Sequence, residues 1–303
     1  MSNYLRVGTF NNPPLSIEKA HILNVAFTLA YVVPLYLTKY TMPAYSSKEP
    51  NWRWRDDPKV IRARMASVTL STLAVCSYVY LIFRSNEAPD SAWTWTYPRL
   101  GFIWHPSLIW PCLITPALYL GPLYAQYLSK ELPLMAHWSY REHIADTFFH
   151  WRGCRNFLVG PLSEELAWRS CVICVYHLAG ASTNFLIFFT PLSFGAAHLH
   201  HAWEVYNQFG RTSQALKNAI LSTVFQFTYT TLFGFHCAFL FVRSGSVIPP
   251  LLAHIFCNVM GVPQLQAELK RHVHHRTRTS LMSMVLVLLF RSLMFDVACF
   301  QQI

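Results

Sequence analysis

Charge is scarce in this sequence. Only 13% of the 303 residues are charged, about half the share of a soluble domain, and Asp and Glu together number 14. Too little charge is present to solvate a water-facing surface, which excludes an ordinary soluble domain. Disorder is excluded as well, because 16% of the residues are aromatic. Several familiar signatures are missing. No HExxH is present, so the zinc-binding helix signature of many metalloproteases is missing, and no GxSxG or rhomboid-like serine motif supplies a nucleophile. No Asn-x-Ser/Thr sequon marks a lumenal loop. The first residues, MSNYLRVGTFNNPP, lack the pattern of a cleavable signal, so the first apolar run is expected to be an uncleaved span. No fixed-period repeat or low-complexity tract is visible, and the chain is expected to be one membrane domain, 1–303.

What is present is apolar. Hydrophobic residues make up 53% of the chain and mean hydropathy is +0.26. Several runs approach the ~20 residues a helix needs to cross a bilayer. Spans are expected at about 20–38, 66–83, 101–127, 156–179, 184–200, 218–242, 248–263 and 279–300. The fold class is therefore all-α, a polytopic membrane helical bundle of about eight transmembrane helices. The third span carries Pro106, Pro111, Pro116 and Pro122 and is expected to bend or break. The seventh opens on Pro249-Pro250, a good helix start because first-turn amides need no partner.

The eight cysteines lie mostly within apolar runs, which suits packed thiols better than a disulfide frame. Cys171 and Cys174 form a CxxC, which inside an apolar helix reads as small core residues. The net charge of +10 is concentrated in alternate loops. Stretches 39–65, 128–155, 201–217 and 264–278 hold 17 Lys and Arg, against 5 in the opposite set. Basic loops stay cytosolic, so both termini are expected on the lumenal or exterior side. The excess, including KRHVHHRTR at 270–278, reads as loops lying on anionic membrane lipid, with no nucleic acid partner.

Against that background, the stretch LVGPLSEELAWRS at 158–170 stands out. Ionisable residues within a membrane are costly enough to default to function. Glu165 and Arg169 are four apart and can pair along one helix face. Glu164 points roughly 100° away and is left over. Phe194 and His198 repeat the one-turn spacing, as do His254 and Asn258. On the expected topology Glu164 lies about 12 Å in from the cytosolic side and His254 about 14 Å in, with His198 near that face. One water-filled cavity open to the cytosol would hold them all. A carboxylate there can act as general base towards water with a histidine beside it, and imidazole and carboxamide N–H groups suit a developing oxyanion.

The ordered set EExxxR at 164–169, FxxxH at 194–198 and HxxxN at 254–258 resembles the CAAX protease and bacteriocin-processing (Abi) family. The motif-bearing core covers about 156–263. The resemblance implies an endoplasmic-reticulum, multi-pass endopeptidase that removes the C-terminal tripeptide from prenylated (farnesyl or geranylgeranyl) CAAX proteins such as Ras-type small GTPases, without a cofactor or metal. It also implies that Glu164 and His198 activate water, that His254 and Asn258 hold the oxyanion, that Glu165 and Arg169 form a structural pair, and that Phe194 lines the pocket. Two other readings stay open. Glu164, His198 and His254 are also a possible catalytic zinc set, although the absence of HExxH argues against the zinc-dependent CAAX proteases. Buried Glu, His and Arg also mark transporters and proton relays. His200 and Glu204, at a span end, are expected to face lipid headgroups.

Overall fold

The computed structural model describes residues 13–41, 56–86 and 92–262, all of them in helices and connecting turns. The expected eighth span, 279–300, and the basic cluster 270–278 lie outside the described residues.

Helix α1 (Ile17–Thr41) starts where Ser16 Oγ accepts the Lys19 amide at 3.3 Å. One of its faces is closed by Ala20, Phe27 and Tyr31, with Phe27 meeting Tyr78 of α2 (Pro58–Asn86) and Tyr31 meeting Trp168, while Ile22, Val25 and Leu29 on the other are more than half exposed. Such a stripe left in water would forgo roughly 25 cal/mol per Å² of burial, so hydrocarbon is its natural solvent. Helix α2 begins at Pro58, with the Asp57 carboxylate accepting the Lys59 amide at 2.7 Å. A short helix, α3 (Ala92–Arg99), follows.

The proline-rich third span is broken as its sequence suggests. Helices α4 (Ile109–Leu118) and α5 (Leu120–Leu128) meet at Tyr119, and the bend between the two halves of the span is 67°. A long helical run, α6 (151–178), then carries the Glu-Glu-Arg motif. Its turns widen to i→i+5 hydrogen bonding over Cys154–Val159 and Glu165–Val172. Such widened turns recur at functional sites.

The expected fifth span, 184–200, is two helices, α7 (Thr183–Phe188) and α8 (Thr190–Ala197), separated at Phe189 because Pro191 lacks the amide needed to continue the first. Helix α9 (His201–Gln208) follows directly. Helix α10 (Ser213–Ser244) is capped by Thr212 and ends at Gly245, whose φ of +67° only glycine adopts without cost. Helix α11 (Ile248–Met260) opens on the Pro pair.

Among the described residues, three helices are long and apolar enough to cross a membrane, and four if the bent pair is one span. Length and composition thus fall short of the expected eight. Helix α11, with 13 residues and about 20 Å of rise, is too short to cross alone. The core of α6, α8 and α10 side chains contains Cys171, Cys174, Tyr176, Phe194 and Phe241, so both members of the CxxC are packing residues. Helices α8 and α10 approach closely through glycine. A Cβ on Gly195 would stand 2.2 Å from Thr231 Oγ1, and one on Gly234 would stand 2.6 Å from Pro191 Cβ. That close contact holds α8 on α10 just before His198, the residue at its C-terminal end.

Candidate active site

A cavity of about 450 Å³ opens between α1, α2, α6 and the ends of α8 and α11. Glu164, His198, His254 and Asn258 all line it. Helix geometry separates the two glutamates: the Glu164 side chain is 21% exposed on the cavity wall, while Glu165 is fully buried behind it.

Glu165 joins two elements. Its Oε2 lies 3.1 Å from Arg169 Nε, the pairing expected four residues apart, and its Oε1 lies 2.7 Å from His254 Nδ1. The carboxylate, held beside a guanidinium, accepts, so His254 Nδ1 carries the hydrogen. That leaves His254 Nε2 turned to Glu164, 3.7 Å from Oε2. His198 is oriented in the same way. Its Nδ1 donates to the Phe194 carbonyl at 2.8 Å, which leaves Nε2 with the lone pair in the neutral ring. Asn258 Nδ2 donates one hydrogen to the Asn156 carbonyl at 2.9 Å, and the amide has a second.

Two expectations are corrected. Phe194 does not line the cavity. It is buried, with Arg169 Cζ 4.4 Å from its ring centroid and the His198 ring at 4.8 Å, and it backs both the cation and the histidine. A desolvated guanidinium gains more from an aromatic face than from open space, and this draws the ring inward. His200 and Glu204 do line the cavity, because the chain turns at 198–200 and starts a separate helix, α9, that packs on α10 instead of extending α8. Glu204 Oε2 meets His201 Nδ1 at 3.1 Å.

Several contributors carried no sequence signal. Tyr31, on α1, lines the cavity and hydrogen-bonds Ser163 Oγ at 2.9 Å, immediately before Glu164. Asn156 anchors Asn258 from a widened turn. Among the described residues, no three His, Cys, Asp or Glu side chains converge as a metal-holding group.

Fold and site together define a class, a helical membrane protein with a hydrolase-type carboxylate–imidazole cavity set among its apolar helices. The description type II CAAX prenyl endopeptidase Rce1-like matches residues 146–260, and the chain belongs to that family. It is 34% identical over 252 residues to a Schizosaccharomyces pombe protein named probable CAAX prenyl protease 2, covering 83% of this chain and 84% of that one. The Homo sapiens CAAX prenyl protease 2 is 34% identical over 257 residues, covering 81% and 71%. The Arabidopsis thaliana protein of that name is 32% identical over 219 residues, covering 64% and 68%. No solved structure matches.

Proposed function

We propose that this CAAX prenyl endopeptidase removes the C-terminal tripeptide from farnesylated or geranylgeranylated CAAX proteins, Ras-type small GTPases among them. It would do so in the endoplasmic-reticulum membrane, through a cavity reached from the cytosol. The observation that carries the proposal is the split between the glutamates. Glu164 stands on the cavity wall with His254 Nε2 3.7 Å away and His198 lining the same cavity, while Glu165 is withdrawn into an ion pair. The cavity is also walled by Val32, Leu35, Met65 and Val68, apolar side chains suited to an isoprenoid.

In this scheme Glu164, with His198 Nε2 accepting alongside, takes a proton from water, and the hydroxide adds to the scissile carbonyl. Asn258, aimed by the Asn156 carbonyl, donates its second N–H to the resulting oxyanion. His254 donates there only once Nε2 is protonated, since Nδ1–H already serves Glu165. The proton taken up by Glu164, 3.7 Å away, supplies that hydrogen and then passes to the leaving amine as the C–N bond breaks. Glu165 and Arg169 fix the His254 tautomer and ring plane without touching substrate.

The test is turnover of a prenylated CAAX peptide by purified protein and by Glu164→Gln, with folding checked for both. Cleavage by the parent and none by the variant supports the scheme. Equal cleavage by both refutes Glu164 as the base.

A further inference from the structure

The cavity wall carries two guanidinium groups that the hydrolytic scheme leaves unused, those of Arg64 and Arg155. Arg155 is held in a defined pose. Its Nε donates to Asn156 Oδ1 at 2.9 Å and its Nη2 lies 3.3 Å from Asp56 Oδ1. Arg152 Nε reaches the other oxygen of the same carboxylate at 3.6 Å, so Asp56 is shared between two arginines. These contacts tie the residues just before α2 to the first turns of α6 and keep the Arg155 fork at the cavity. The neighbouring residue, Asn156, supplies the carbonyl that orients Asn258. One short stretch of α6 thus reaches both the oxyanion donor and a cationic group.

Spacing gives that stretch a role. Arg155 precedes Glu164 by nine positions on one helical run, about 13 Å along the axis and less where the turns widen. In an extended substrate, the scissile carbonyl and the terminal carboxylate of a departing tripeptide are roughly 10 Å apart. An arginine side chain spans the difference.

We infer that Arg155, with Arg64 on the same wall, receives the free C-terminal carboxylate of the substrate and so sets the cut three residues from the end. This rests on the protease reading above. A guanidinium presents a planar fork that matches a carboxylate in two parallel hydrogen bonds, which a lysine would not do. The carboxylate exchanges with, or joins, Asp56 on that fork.

The test compares one prenylated CAAX peptide as the free acid and as the C-terminal amide. The parent protein is expected to favour the acid by roughly 10-fold or more in kcat/KM, the weight of a charge-assisted hydrogen bond. Arg155→Gln should erase that preference mainly through KM, whereas Asp56→Asn, which keeps an oxygen acceptor for Arg155 Nη2, should leave the preference in place. Equal cleavage of acid and amide by the parent overturns the inference alone, and this comparison decides even if the variants fail to fold. Equal slowing of both peptides by Arg155→Gln and by Asp56→Asn also overturns it, since a mere tie between α2 and α6 would do that. Cleavage of neither peptide by the parent overturns the protease reading and this inference together.

Discussion

Replacing Arg169 with alanine exposes the energetic logic of the site. The Glu165 side chain is 0% exposed and that of Arg169 is 2%, so the pair has essentially no solvent to share its charge with. Removing the cation leaves a buried carboxylate with His254 as its remaining close partner. Breaking a buried pair in this way costs ~3–5 kcal/mol. The loss of the Phe194 ring contact at 4.4 Å falls within the same perturbation and is not counted again. At roughly 2–4 °C per kcal/mol for a chain near this size, the melting temperature should fall on the order of 10 °C. The assay is thermal unfolding of detergent-purified protein followed by tryptophan fluorescence, with monodispersity checked by size exclusion. A double variant, Glu165→Gln with Arg169→Met, removes both charges and should be less destabilised than Arg169→Ala alone. A melting temperature for Arg169→Ala within about 2 °C of the parent, or a double variant worse than the single one, would refute the reasoning.

Further expectations follow from the same geometry. In the proposed scheme Asn258 donates to the oxyanion, so Asn258→Ala should lower kcat by ~10²–10³ with little change in KM, checked by steady-state kinetics. A large KM effect with kcat intact would assign the amide to substrate binding instead. Glu165→Gln keeps an acceptor for His254 Nδ1 and should retain more activity than Glu165→Leu at matched folding; the reverse order would remove the tautomer argument. Activity should survive chelators, and zinc lost together with activity and restored on re-addition would establish the metal alternative. A protease site placed at Gly210, in a basic loop between α9 and α10, should be cut from outside sealed microsomes, and protection there would reverse the orientation.

Helical period made much of the site legible in the sequence. Adjacent glutamates on one helix had to face apart, and Glu165 and Arg169 had to meet across one turn, because both follow from residue spacing alone. Four prolines foretold the break at Tyr119. Spacing says which face a residue is on, but not what lies across from it. The contact between Glu165 and His254 joins residues 89 apart in sequence and depends on how α11 docks on α6. The widened turns that offer the Asn156 carbonyl to Asn258 leave no mark in the hydrophobic pattern. The family resemblance implies a Phe194 that lines the pocket, yet the buried guanidinium of Arg169 claims the ring. An uninterrupted fifth span would leave His200 and Glu204 at the headgroups, and the turn that starts a separate helix, α9, packed on α10, changes what they face.

The central claim is that Glu164 drives hydrolysis of a peptide bond three residues from a prenylated C-terminus. The most direct measurement is mass spectrometry of the products after detergent-purified protein meets a farnesylated CAAX peptide in water enriched in oxygen-18. Release of the intact unlabelled tripeptide, with one heavy oxygen in the new carboxylate of the prenylated cysteine and no product from Glu164→Gln, is the predicted result. Release of single residues, cleavage at another bond, or the same product from Glu164→Gln would contradict it.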